Sequence, residues 1–209
     1  VTRFYRKARI DKLWIRVQPW YRNAAERYSE LVFDGLTAAL EYTGYPEEEM
    51  GGKMDRIRII PSLIGPRGSA MGPTWCGVKY DIHTPWSRIS YSPHEFIHNM
   101  VEDDTKSGEY EDAITALVNT VWDTLDGTPA KNYYPDKVQF FDECLVRTLD
   151  HVVTDGYETP FQRENVSVKL QSHAERGFVL CPAMHRALRR YEKSDAALSA
   201  YFPRFLEVL

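Results

Sequence analysis

The sequence predicts an α+β fold, with a small mixed sheet, one functional helix and a mainly helical C-terminal half. Two observations carry that expectation. Short apolar runs between positions 57 and 91 are separated by Gly- and Pro-rich stretches, as strands are by turns. From about position 93 onward the apolar residues recur at helical spacing instead. No repeat, low-complexity tract or linker divides the 209 residues, so one domain is expected, in three stretches. Residues 1–55 supply an N-terminal strand and helix, 56–104 the sheet and the functional helix, and 105–209 a helical part.

Each element has its own signal. Leu13, Ile15 and Val17 alternate with polar residues, which predicts a strand within Val1–Val17. Pro19 fits the first position of a helix that runs to about Thr43, with Gly44 and Pro46 ending it. Ile57–Leu63 reads as a buried strand, Gly65–Pro73 as a loop, and Trp75–Ile82 and Trp86–Tyr91 as further strands. Helices follow over Pro93–Asp104, Tyr110–Leu125 and Asp136–Thr154, the last two closed by Gly127 and Gly156. A loop is expected next, then one or two helices from Pro182 to the end.

Composition narrows the function. The net charge of −4 gives no support to nucleic-acid binding. The first 16 residues are nevertheless basic, with Arg3, Arg6, Lys7, Arg9, Lys12 and Arg16, and read as a solvated face or strand edge. No apolar run is long enough to span a membrane. Cys76, Cys144 and Cys181 form no Cys-x-x-Cys pair, which removes a cysteine zinc knuckle and argues against a disulfide framework. Neither an exported nor a cytoplasmic location is favoured, and the oligomeric state is left open.

The chemistry is concentrated in His94-Glu95-Phe96-Ile97-His98. On a helix, residues four apart stand one turn apart on one face, so His94 and His98 can share a metal ion. Zinc suits such nitrogen ligands. Glu95 points elsewhere and is placed to take a proton from the water that completes the metal's coordination. This is the His-Glu-x-x-His pattern of zinc peptidases. A structural reading stands beside it: Ser92 and Glu95 have the spacing of a helix capping box, with Pro93 between them. The cap accounts for Glu95 but not for two histidines at ligand spacing.

A third ligand is required. Asp104 lies six residues after His98, but Val101 stands where a glycine would have to break the helix. Glu143 groups with Arg147 and Asp150 beside the apolar stripe of Val138, Phe141, Leu145, Leu149 and Val152. It can bind the metal while Arg147 or Asp150 orients the ligands, or it can simply pair with Arg147 on a solvated flank. Asp142, nearer the stripe, is a weaker alternative.

With Glu143 following on a later helix, the pattern resembles the gluzincin branch of the zinc metallopeptidases. It is more closely similar to an uncharacterised bacterial domain family with a His-Glu-Phe-x-His motif. That likeness covers residues 56–209 and includes Glu143-x-x-x-Arg147 and Glu175-Arg176-Gly177-Phe178. It implies a zincin-like fold, zinc held by His94, His98 and Glu143, Glu95 as general base, and a peptide or protein substrate. The long stretch from His98 to Glu143, and Asp142 where Asn is common, depart from the gluzincin pattern. The strand Trp75–Ile82 is expected to pair with extended substrate, Gly72 and Gly77 allowing close approach. His173, in a polar loop or short strand, and Tyr157 are the candidate catalytic donors, with His151, Tyr133 and Tyr134 behind them. The competing functions are a zinc amidase or esterase and a non-catalytic binding domain that keeps the metal site.

Overall fold

The computed structural model describes residues 2–46, 57–62, 70–72, 80–85, 93–156 and 158–209. The chain divides into two compact units, one of residues 1–34 and 56–91, the other of residues 35–55 and 92–209.

In the first unit, α1 (Thr2–Ala8) and α2 (Ile10–Thr43) meet at Arg9, whose φ of 50° breaks the helix. The strand expected over Val1–Val17 is therefore helical. The alternation of Leu13, Ile15 and Val17 is only three positions long. Ile10, Leu13, Trp14, Val17 and Tyr21 meanwhile keep helical spacing over three turns. Pro19 lies inside α2 rather than at its start. The helix continues into the second unit and ends at Gly44, as expected; the Gly44 N–H bonds the Leu40 carbonyl at 2.8 Å, and its φ of 64° turns the chain out of the helix. Three short strands also belong to the first unit: β1 (Ile57–Ser62), β2 (Ala70–Gly72) and β3 (Tyr80–Pro85). β3 pairs parallel with β1 (Ile57 opposite Tyr80) and antiparallel with β2 (Ala70 opposite His83). Ala70–Gly72 falls where a loop was expected, while Trp86–Tyr91 and most of Trp75–Ile82 lie outside the described residues.

The second unit overturns the expected α+β, zincin-like class. Its described residues hold no strand, and their regular elements are helices. After the end of α2 come α3 (His94–Lys106), α4 (Glu111–Trp122), the short α5 (Pro129–Tyr133), α6 (Lys137–Asp155), α7 (Pro160–Glu175), α8 (Cys181–Tyr191) and α9 (Leu198–Glu207). The sheet signal was local to residues 57–85. It could not tell whether those strands share a core with the motif helix.

α6 is the axis of this body. Asp136 caps it, accepting from the Gln139 N–H at 2.9 Å. Phe140, Phe141, Cys144, Leu145, Val146, Leu149 and Val152 are buried, so apolar side chains leave it in several directions. It packs against α3, α4, α7 and α8. The consequence for function is direct: a carboxylate on such a helix is buried with it, as Asp142 and Glu143 are, each about 3% exposed or less.

α7 replaces the loop expected after Gly156. Its apolar contribution to the core is small, Val166 and Leu170, which hid it from a search for periodicity. Its start was legible, because Thr159 and Gln162 form a capping box around Pro160. At its other end Gly177, with φ of 100°, turns the chain so that the Phe178 N–H bonds the His173 carbonyl at 3.1 Å. A side chain at Gly177 would collide with Thr128. Tyr191 on α8 donates to the carbonyls of Tyr42 and Thr43, tying the end of α2 to the bundle.

Candidate metal centre

The first two turns of α3 present His94 and His98 side by side, their ring centroids 5.0 Å apart. Phe96, Ile97, Met100 and Val101 on that helix are buried and anchor it in the core. α6 brings Glu143 to the two imidazoles. His94 Nε2 lies 3.6 Å from Glu143 Oε1, and His98 Nε2 lies 3.3 Å from Glu143 Oε2. One ligating atom from each of the three residues falls within 4.8 Å of the others.

These distances suit a metal ion. Ligands roughly 2.1 Å from a tetrahedral zinc stand about 3.4 Å apart. Two nitrogens and one carboxylate are also a zinc-compatible donor set. Glu143 Oε1 is buried and accepts no well-directed hydrogen bond, although the Arg147 guanidinium lies 2.5 Å away. The residues present therefore fit a divalent ion.

Asp142 holds His98 in place. Its Oδ2 meets His98 Nδ1 at 2.7 Å and Lys106 Nζ at 2.9 Å, and its Oδ1 accepts from Thr105 Oγ1 at 2.7 Å. A carboxylate only accepts, so Nδ1 carries the proton and Nε2 is left facing Glu143. His94 has a looser counterpart, Asp150, 3.7 Å from its Nδ1. Burial alone would lower the pKa of His98. The hydrogen bonds and charges of Asp142 and Glu143 outweigh it and push the imidazole up to about 9. Burial would raise Glu143, but His98, His94 and Arg147 hold its carboxyl down to about 2.

Arg147 lies between Glu143 and the Phe178 ring, its guanidinium carbon 4.2 Å from the ring centroid. Tyr134, just before α6, faces Glu143 and Arg147. Burial and the Glu143 charge push its phenol up to about 12, so it stays protonated and able to donate.

The other expected residues separate clearly. Glu95 is half-buried next to His94 on the first turn. The N-cap of α3 is Pro93, which offers no side-chain bond, and Ser92 lies outside the described residues. Asp104 receives the hydroxyl of Tyr45 and is not one of the clustered ligands. His173 sits in the last turn of α7 rather than in a loop or strand. Its Nε2 lies 2.9 Å from His151 Nε2, and His151 Nδ1 lies 3.2 Å from Asp155. Burial, then the Arg147 and His151 charges, bring His173 down to about 4. Tyr133 is exposed, His185 is buried on α8, and Tyr157 lies outside the described residues.

The supporting role of Asp142 was missed in the sequence, and so was the His151–His173 contact. Asp142 did leave a sign. It stands four residues after Val138 and three before Leu145, a carboxylate at a core position. Comparison of the chain with protein-family models, with curated proteins and with solved structures finds no match to any of them.

Proposed function

We propose that the chain is a zinc-dependent hydrolase, and that its substrate is a peptide bond. The convergence of His94, His98 and Glu143, from two helices, on one spot carries this reading. Zinc, when bound there, would supply Lewis acidity, acidifying a water and polarising a carbonyl. Glu95, adjacent to His94, takes the proton of the attacking water and passes it to the leaving amine. Asp142 keeps His98 in the ligating tautomer, and Arg147 with Tyr134 fixes the Glu143 carboxylate. His173 and Tyr157 are the proposed donors to the developing oxyanion.

The intact Glu95 favours an enzyme over a binding domain that retains a metal. Removal of that carboxylate is the test. Glu95→Gln keeps the size of the side chain and the ability to hydrogen-bond. It is expected to keep fold and zinc while hydrolysis of a mixed peptide library falls by about 10²–10⁴. An equally active Gln variant would contradict the role. A zinc-loaded wild type that cleaves neither peptides nor simple amides and esters would favour the binding domain.

A further inference from the structure

The basic N-terminal segment is not used by the metal centre, and its geometry calls for a partner. The first 22 residues hold seven basic side chains against one acid, Asp11, in a chain whose net charge is −4. They fold as α1 and the start of α2. On α2, Ile10, Leu13, Trp14, Val17 and Tyr21 form one stripe at helical spacing, with Trp14 and Tyr21 rings 5.5 Å apart. Lys12, Arg16 and Arg22 lie off that stripe and are exposed, as are the apolar Ile15 and Trp20. Ile10, Val17 and Tyr21 on the stripe are half-buried, but its other members are open. Leu13 and Trp14 are each 54% exposed, and Phe4 on α1 is 70% exposed.

Such a face needs a cover, and its charge selects one. Interfacial helices combine Trp, Phe and Leu on one side with Lys and Arg on the other. Indole and phenol rings suit the headgroup boundary, where one edge is apolar and the other wet. We propose that residues 1–22 form an amphipathic helix pair that lies on an anionic lipid surface, its basic residues meeting phosphate headgroups and Leu13 and Trp14 entering the acyl boundary. This is surface attachment: no described helix is long and apolar enough to cross a membrane.

The test uses the whole 209-residue chain and vesicles of phosphatidylcholine, with and without phosphatidylserine. Co-sedimentation is expected only with the anionic vesicles, and added salt should weaken it. Lys12→Gln and Arg16→Gln should each reduce binding about fivefold. Leu13→Ala with Trp14→Ala should abolish it and remove a lipid-induced blue shift of tryptophan emission. His98→Ala should bind vesicles like the wild type, which separates this proposal from the metal centre. Equal binding to neutral vesicles would overturn it. So would no binding by a chain that instead self-associates through Leu13 and Trp14, because the face would then be a protein interface.

Discussion

Two histidine pairs adjoin α6, and they differ in what stands between the rings. His94 and His98 share the first two turns of one helix and face a buried carboxylate, Glu143. His151 and His173 come from two helices and meet nitrogen to nitrogen, 2.9 Å apart. Each pair has an outer carboxylate on a ring Nδ1, Asp142 on His98 and Asp155 on His151. The consequences diverge. His98 is pushed up to about 9 while His173 is brought down to about 4. In the first pair His98 is held as the cation, and in the second His173 is held neutral. An anionic third member, Glu143, attracts a cation to the first pair; in the second the two imidazoles meet each other, and His173 Nδ1 is buried without a hydrogen-bond partner.

Breaking that contrast should have its largest effect at Glu143. Glu143→Ala removes the anionic member and is expected to abolish stable zinc binding, as are His94→Ala and His98→Ala. Asp104→Ala should leave it intact, since Tyr45 already engages that carboxylate. Competition against a zinc chelator ranks these variants, and a stronger loss at Asp104 would reverse the assignment.

The outer carboxylates sharpen the comparison. Asp142→Asn keeps the shape but lets the His98 tautomer change, and should weaken zinc about 10–100-fold. Asp155→Asn should not change zinc affinity, because His151 is outside the cluster. Similar losses from both would mean that the two pairs form one extended site.

The smallest effect is the pH dependence of the metal-free chain. The folded pKa of His98 lies above the ordinary histidine value, about 6.5. Its stabilising contribution is whole below about pH 6.5 and is lost as pH rises through about 9. His173 is the reverse. Its folded pKa is depressed, so the unfolded chain binds the extra proton, and stability falls as pH drops from about 6.5 towards about 4. Thermal melts across this range should show both limbs, with His98→Gln flattening the alkaline one and His173→Gln the acid one. A curve unaffected by either variant would contradict the pairing.

The legible part of the sequence was the part with short-range geometry. His94 and His98 were readable because helical spacing alone puts them on one face. The ends of α2 and α6 were readable because Gly44 and Gly156 adopt positive φ, whereas α4 ends at Trp122, five residues before Gly127. Glu143 was readable only in part, because its burial depends on α6 being surrounded by α3, α4, α7 and α8. Asp142 looked like a weaker ligand, since a tertiary contact with His98 cannot be seen along the chain. The fold class failed for a related reason. The strands near residues 57–85 were inferred from local composition, whereas the absence of a strand among the described residues of the body that carries the site depends on how distant segments assemble. His173 was misplaced because α7 has only two core residues and the capping box at Thr159 was passed over.

The central claim is that His94, His98 and Glu143 together hold a metal ion. X-ray absorption at the zinc edge, on the whole chain loaded with zinc and freed of excess, tests it most directly. About one zinc per chain is expected, with two imidazole nitrogens at roughly 2.0–2.1 Å and oxygen ligands completing four-coordination. In Glu143→Ala the zinc should be lost. A chain that takes up no metal, or one whose zinc is unaffected by Glu143→Ala, would contradict it.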